Sequence, residues 1–169
     1  MYVLETERLL LRHLTLDDAQ FTFRLVNDPS WLRFIGDRGV RSVDDARDYL
    51  RKGALASYAQ HGFGLYLTEL KDGAQPIGIC GLVKRDTLPD VDVGFALLPP
   101  FAGRGYAAEA ALAVMSHARE RVGLRRVVAI TKPDNRSSIR VLEKIGLAFE
   151  RLIRPVADGD ELALYAWNA

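Results

Sequence analysis

The chain alternates between short apolar runs and longer stretches whose apolar residues recur every third or fourth position. Residues 8–14 (Arg-Leu-Leu-Leu-Arg-His-Leu) read as a strand. Thr15 follows as an N-cap, with Asp17 and Asp18 in the first turn of a helix that reaches about Val26. Asn27-Asp28-Pro29 ends that helix, because the residue before a proline avoids helical backbone. Residues 29–41 follow neither period and read as irregular. Ser42 caps the next helix, which carries Ala46, Tyr49, Leu50 and Ala54 at helical spacing and stops near His61-Gly62.

Strand patterns dominate from Gly62 onward. Phe63 to Leu70 and Pro76 to Lys84 read as two strands around a Lys71-Asp72-Gly73 turn. After a second turn at Thr87-Leu88-Pro89-Asp90, Val91 to Leu98 is apolar enough for a central strand covered on both faces. A helix over 103–121 places Ala107, Ala110, Ala111, Val114, Met115 and Ala118 on one stripe. Arg126 to Thr131 is a β-branched strand, and a helix runs from Asn135 to a C-cap at Gly146. Two last strands, 147–154 and 161–167, enclose Ala157-Asp158-Gly159-Asp160. The predicted order is β-α-α-β-β-β-α-β-α-β-β. The strand–helix–strand unit from 91 to 131 predicts a parallel, right-handed crossover inside a mixed sheet with helices on both faces.

Composition narrows the classes. The chain has 169 residues, 49% hydrophobic and 27% charged, which suits one globular domain spanning 1–169. It has 23 basic and 22 acidic residues for a net charge of +1, so nucleic acid is not the expected ligand. No apolar stretch is long enough to span a bilayer, and the acidic start Met1-Tyr2-Val3-Leu4-Glu5 does not read as a secretion signal. Cys80 is the single cysteine, which points to a reducing, cytoplasmic setting and leaves His13, His61 and His117 with no metal-ligand partners at suitable spacing. In mid-strand Cys80 reads as a buried side chain rather than as the nucleophile of a ping-pong reaction. A homodimer is left open.

Two segments carry the chemistry. In Pro99-Pro100-Phe101-Ala102-Gly103-Arg104-Gly105-Tyr106-Ala107-Ala108-Glu109-Ala110, the prolines stop a sheet ladder and the glycines open a turn before a helix. Free N–H groups and the helix dipole make such a turn an anion cradle. A tight turn with no ligand is the alternative. The second segment is Asn135-Arg136-Ser137-Ser138-Ile139-Arg140-Val141-Leu142-Glu143-Lys144-Ile145-Gly146-Leu147. Its Arg136, Arg140 and Lys144 form a basic stripe, either a solvated face or a set of phosphate contacts.

In this order and spacing the two segments resemble the acyl-CoA site of the GNAT superfamily of N-acetyltransferases, in its RimJ/RimL-like (ribosomal-protein acetyltransferase-like) branch. The resemblance implies an α/β fold with a central mixed, mostly antiparallel sheet flanked by helices on both faces. It implies acetyl-CoA as cosubstrate, contacted by Leu97, Leu98, Gly103, Arg104, Gly105, Tyr106, Ala107, Asn135 and Arg140. It also implies a primary-amine acceptor, a protein N-terminal α-amine or a small molecule, which attacks directly in a ternary complex. The chain departs from the pattern at Ala102, where the family carries Gln or Arg.

Asp92 matches a position where many members hold an acid that takes the amine proton; the alternative is a solvated strand-entry acid beside Asp90. Ser138 falls at a place suited to protonating the leaving thiolate, since the tyrosine that many members use for this is Leu142 here. Asn135 either contacts cofactor or only caps its helix. The acceptor walls fall in the irregular loop and the last hairpin, with Trp31, Phe34, Asp37 and Arg38 as contacts; a hydrophobic plug plus an Asp37–Arg38 surface pair is the alternative. Two rival functions remain: a non-catalytic acyl-CoA-binding sensor domain, and a different phosphate-binding enzyme built on the glycine turn.

Overall fold

The computed structural model describes residues 2–169. Its strands are β1 (Tyr2–Glu5), β2 (Leu9–His13), β3 (Leu65–Leu70), β4 (Gln75–Val83), β5 (Asp92–Leu97), β6 (Arg126–Thr131), β7 (Ala148–Ile153) and β8 (Leu162–Asn168). Its α-helices are α1 (Ala19–Val26), α2 (Pro29–Phe34), α3 (Val43–Leu50), α4 (Ala56–His61), α5 (Tyr106–His117) and α6 (Arg136–Lys144). The strands form one sheet in the order β1-β2-β3-β4-β5-β6-β8-β7. Every neighbouring pair is antiparallel except β5 and β6, which are parallel and joined through α5. The sheet is thus mixed, as the order of elements predicts, and mostly antiparallel, as the family resemblance implies.

Side-chain alternation along the strands divides the core between the two faces. Tyr66, Cys80, Val93 and Val127 pack with Ala111, Val114 and Leu142 of α5 and α6. Leu67 and Ile79 pack with Leu25, Trp31, Ala46 and Leu50 of α1, α2 and α3. Ile77 is the extra residue of a bulge in β4: Thr68 pairs with Gly78 while the next residue, Glu69, pairs with Pro76. The bulge resets the alternation, so Ile77 and Cys80 lie in the same layer.

Local chemistry sets the helix ends. Asp17 N–H donates to Thr15 Oγ1 at 3.2 Å and Thr15 N–H donates to Asp18 Oδ2 at 2.8 Å, opening a turn of 3₁₀ helix that runs into α1. Asp18 is buried, and its charge is met by the Arg12 guanidinium at 2.9 and 3.0 Å. The same arginine donates to Glu69 at 2.9 Å and so joins β2, β3 and α1. Ser42 accepts from Asp45 N–H at the start of α3, and Gly62 ends α4 with φ of 77°.

Four features differ from the sequence reading. The strand β1 pairs with β2 and was not predicted. Residues 29–34 are helical rather than irregular: Pro29 sits in the first turn and Asp28 accepts from Ser30 N–H as N-cap. The helix after Ser42 is split by a wide turn at Arg51–Leu55, around Gly53. The helix predicted over 103–121 begins at Tyr106, because Gly103 and Gly105 both have positive φ, 75° and 82°.

Candidate active site

The strands β5 and β6 touch at one rung. Asp92 is opposite Val128, and Val128 N–H donates to Val91 O at 3.0 Å. Beyond that rung β6 continues its ladder with β8 while β5 pairs with β4. Gly94 to Leu97 and Ala129 to Thr131 therefore become opposite walls of a cleft of about 1870 Å³. Pockets for one drug-sized ligand run to roughly 300–1,000 Å³, so this cleft is larger than a single such ligand needs.

At the end of β5 the cleft meets the start of α5. Among the described residues, the amides of Gly103, Arg104 and Gly105 have no hydrogen-bond partner, and no side chain caps α5. A Cβ built on Gly103 would meet nothing within 4 Å. Unpaired donors, open space and a helix dipole together form a cradle that fits a pyrophosphate. The cradle is braced from the connection between β1 and β2. Arg8 N–H and Nε donate to Glu109 at 2.8 and 2.7 Å, Thr6 Oγ1 donates to the same carboxylate at 2.6 Å, and Arg8 Nη1 donates to Arg104 O at 3.1 Å. The Arg8 guanidinium lies 4.3 Å from the Tyr106 ring centroid. Burial works against the Glu109 charge, but its bonds from Thr6 and Arg8 keep its pKa below the ordinary value.

The other wall comes from α6. Asn135 Oδ1 accepts from Ser138 N–H at 3.2 Å and caps the helix. Asn135 and Ser138 are half-buried and border the cleft, as do the exposed Arg136, Arg140 and Lys144. Leu142, at the position where many family members carry the tyrosine, is 1% exposed and part of the core.

Asp92 stands where the strands meet, 1% exposed. Burial pushes its carboxyl pKa up, and Arg85, whose Nε is 3.0 Å from Oδ1, pulls the other way. It is therefore no solvated strand-entry acid; Asp90 pairs instead with Arg126 at 3.0 Å.

The cleft gathers Asp92, Leu97, Gly103, Gly105, Tyr106, Ala107, Asn135, Ser138 and Arg140 with Trp31, Phe34 and Arg38. Three predicted contacts fall outside it. Leu98 is turned into the core with Leu25 and Ile79, since alternation sends it to the face opposite Leu97. Arg104 offers its backbone carbonyl to Arg8 and keeps an exposed side chain off the cleft wall. Asp37 pairs with Arg41 at 2.5 Å rather than with Arg38, which holds its pKa down at about 2. Sequence reasoning passed over Tyr49 and Arg85, which also line the cleft. Tyr49 reads as one more apolar position of a helical stripe, and Arg85 as part of a charged turn.

Cys80 lies outside the cleft at 1% exposure, and burial pushes its thiol up to about 12. A protonated, covered thiol cannot act as an acyl carrier. We expect no reaction of the folded protein with a chromogenic disulfide reagent at pH 8, and one equivalent of reaction after unfolding in urea.

Comparison with known proteins agrees with this geometry. Residues 8–148 match the family model described as "Acetyltransferase (GNAT) domain". The chain belongs to the GNAT acetyltransferase family. YoaA of Bacillus subtilis, named an uncharacterized N-acetyltransferase, is 27% identical over 154 residues, covering 90% of this chain and 86% of that protein. The crystal structure of an acetyltransferase from Agrobacterium tumefaciens superposes with a TM-score of 0.83 at 29% identity, covering 98% of this chain and 94% of that one. RimL, a ribosomal L7/L12 alpha-N-protein acetyltransferase solved with coenzyme A, shares the fold with a TM-score of 0.84 at 20% identity, covering 99% and 98%. The chain is thus an acetyltransferase. No helix among the described residues is long and apolar enough to cross a membrane.

Proposed function

We infer that this chain transfers the acetyl group of acetyl-CoA to a primary amine, a protein N-terminal α-amine or a small molecule, by direct attack in a ternary complex. The observation that carries this reading is the parting of β5 from β6 beside a donor-rich turn. It presents an open strand edge to an extended amide-bearing arm and a cradle to a pyrophosphate. RimL-like neighbours support a place in the RimJ/RimL-like branch, and the lone buried cysteine suits a cytoplasmic setting.

Bound acetyl-CoA supplies an activated thioester: the amine lone pair forms the new C–N bond as the C–S bond breaks, and the proton leaving nitrogen ends on the thiolate. The protein's residues manage position and proton. Gly103 to Ala107 hold the diphosphate through backbone N–H groups, and Arg140 faces its charge. Leu97 flanks the arm. Asp92 takes the proton of the amine, through water because its side chain is short. Ser138 stands near the sulfur with a hydroxyl that positions or donates the returning proton.

Asp92→Asn is expected to lower kcat/KM by about 10²-fold, the lower end of what a positioned base contributes. In the wild type the acidic limb of the rate profile falls above the ordinary carboxylate range, because burial raises the Asp92 pKa and activity disappears as the group protonates. Ser138→Ala is expected to lower kcat by about 10-fold with little change in KM for acetyl-CoA. Thioester turnover over a broad amine panel, recorded against pH, tests these assignments. Saturable binding of acetyl-CoA with no turnover on any amine would instead favour a sensor.

A further inference from the structure

The acceptor end of the cleft has an unusual balance of charge. Asp92 is fully buried, yet it engages Arg85 through Nε alone, at 3.0 Å. Both terminal amino groups of Arg85 have no protein partner among the described residues. Arg38 has no ion pair among the described residues, because its neighbour Asp37 is bound to Arg41 by a two-pronged contact at 2.9 and 2.5 Å. Burial raises the pKa of the Tyr49 hydroxyl, and Arg38 and Arg85 both act on it in the opposite direction, so the two cations share its neighbourhood. Asp92, Arg85, Arg38 and Tyr49 line the cleft, together with the rings of Trp31 and Phe34. The neighbouring Lys84 is already engaged by the carbonyls of Arg85 and Leu88, at 3.3 and 2.9 Å. Beside Asp92 and the exposed Asp86, the acids on the cleft wall near α2 are already engaged: Asp28 caps α2, Asp134 faces Arg33 at 3.9 Å and Asp160 faces Lys132 at 3.5 Å.

Arginine forks on an aromatic wall recognise carboxylates and phosphates, which can accept two parallel N–H bonds. Here the oxyanion must also be near the amine. Arg85 touches Asp92 directly, so an amine that delivers its proton to Asp92 brings its nearest substituent to Arg85. A peptide N-terminus presents a neutral carbonyl there. A free amino acid presents a carboxylate, which uses the unpartnered donors.

We propose that the acceptor is a small amine bearing an oxyanion within a few bonds of the nitrogen, an amino acid or an aminoalkyl phosphate, held by Arg38 and Arg85 against Trp31, Phe34 and Tyr49. The proposal rests on acetyl transfer to an amine in this cleft. It adds that Asp92 has a second task, keeping the Arg85 fork turned toward the acceptor. The bond made and the bond broken are those of ordinary N-acetylation, with the amine proton passing to the thiolate of CoA.

The test compares matched acceptors with the wild-type chain and acetyl-CoA. Each of the nineteen amino acids with a primary α-amine is paired with its carboxamide, phosphoethanolamine with ethanolamine, and both sets are run beside peptides with the same N-terminal residues. The expected result is a kcat/KM for the charged member about 10- to 100-fold above its neutral partner, the worth of charge-assisted hydrogen bonds. Amino acids against phosphoethanolamine then separate carboxylate from phosphate. In Arg38→Gln and Arg85→Gln that preference collapses, mainly through KM, while acetyl-CoA titrates as in the wild type. Equal or better turnover of amides, neutral amines or peptides overturns the proposal and leaves the acetyltransferase reading intact. Absence of turnover on every amine, with acetyl-CoA bound, overturns both. A charge preference that survives in both variants also overturns the proposal, because the anion would then be bound elsewhere.

Discussion

Gly105→Glu abolishes acetyl-CoA binding in a chain that stays folded, as isothermal titration beside circular dichroism will show. Gly105 is the N-cap of α5, with φ of 82°. Any other L-residue there costs about 1–2 kcal/mol in backbone strain. Strain alone lowers stability without removing a ligand. The decisive change is the carboxylate, which enters a ring of N–H donors at a helix N-terminus and competes with the diphosphate for them. A Cβ at this position lies 3.4 Å from Arg8 Nη2, so the new acid also draws Arg8 away from Glu109 and loosens the brace of the cradle. The loss of affinity should exceed about 100-fold, more than 2.7 kcal/mol. Gly123→Ala is the control: its φ of 80° carries comparable strain, nothing lies within 4 Å, and the residue is outside the cleft. That variant should be less stable but bind acetyl-CoA normally. Normal binding by Gly105→Glu would remove the cradle from the account.

The second large effect is on folding. Gly81→Ala should destabilise the protein by about 3 kcal/mol, the upper end of overpacking costs. A Cβ on Gly81 would overlap the Gly64 carbonyl and sit 2.8 Å from Leu65 Cα. Both obstacles are backbone of the neighbouring segment, so no side chain can swing aside. Gly94 pairs with Gly81 across β4 and β5 but is different: its Cβ would meet Leu65 Cδ2 at 3.6 Å and Val83 Cγ2 at 4.0 Å, ordinary contacts. Urea titrations should show a lower midpoint with an unchanged slope for Gly81→Ala and almost no shift for Gly94→Ala. Equal effects would mean that strand propensity rather than close approach governs these positions.

Much of the fold is legible because local signals and tertiary packing agree. Thr15 with Asp18, Ser42 with Asp45, and Asn135 with Ser138 form the caps that their spacing predicts. What escaped is non-local or ambiguous. The strand β1 is a short edge, defined by β2 rather than by its own four residues. Pro29 reads equally as a breaker or as the first turn of a helix, and Asp28 decides it by capping α2. The glycine turn and the asparagine–serine pair could be located from their spacing, because each is contiguous in sequence. Side-chain direction is not legible in the same way: Leu97 and Leu98 are adjacent in one apolar run yet face opposite layers. Tyr49, Arg85 and Arg38 come from α3 and two separate loops, and only the folded chain brings them to one end of the cleft.

The single rung between β5 and β6 also bears on how this molecule holds together. On one side stand β1 to β5, on the other the block β6-β8-β7, and one backbone pairing links the two ladders. Elsewhere along that seam the join depends on α5 and α6 packing across one face. On the proposed reading, an acyl donor running between the strands would act as a ninth strand and close a seam the polypeptide leaves unsewn. Chain and ligand would then fold as one cooperative unit, and resistance to heat and proteolysis is expected to rise with the amount of acyl donor added.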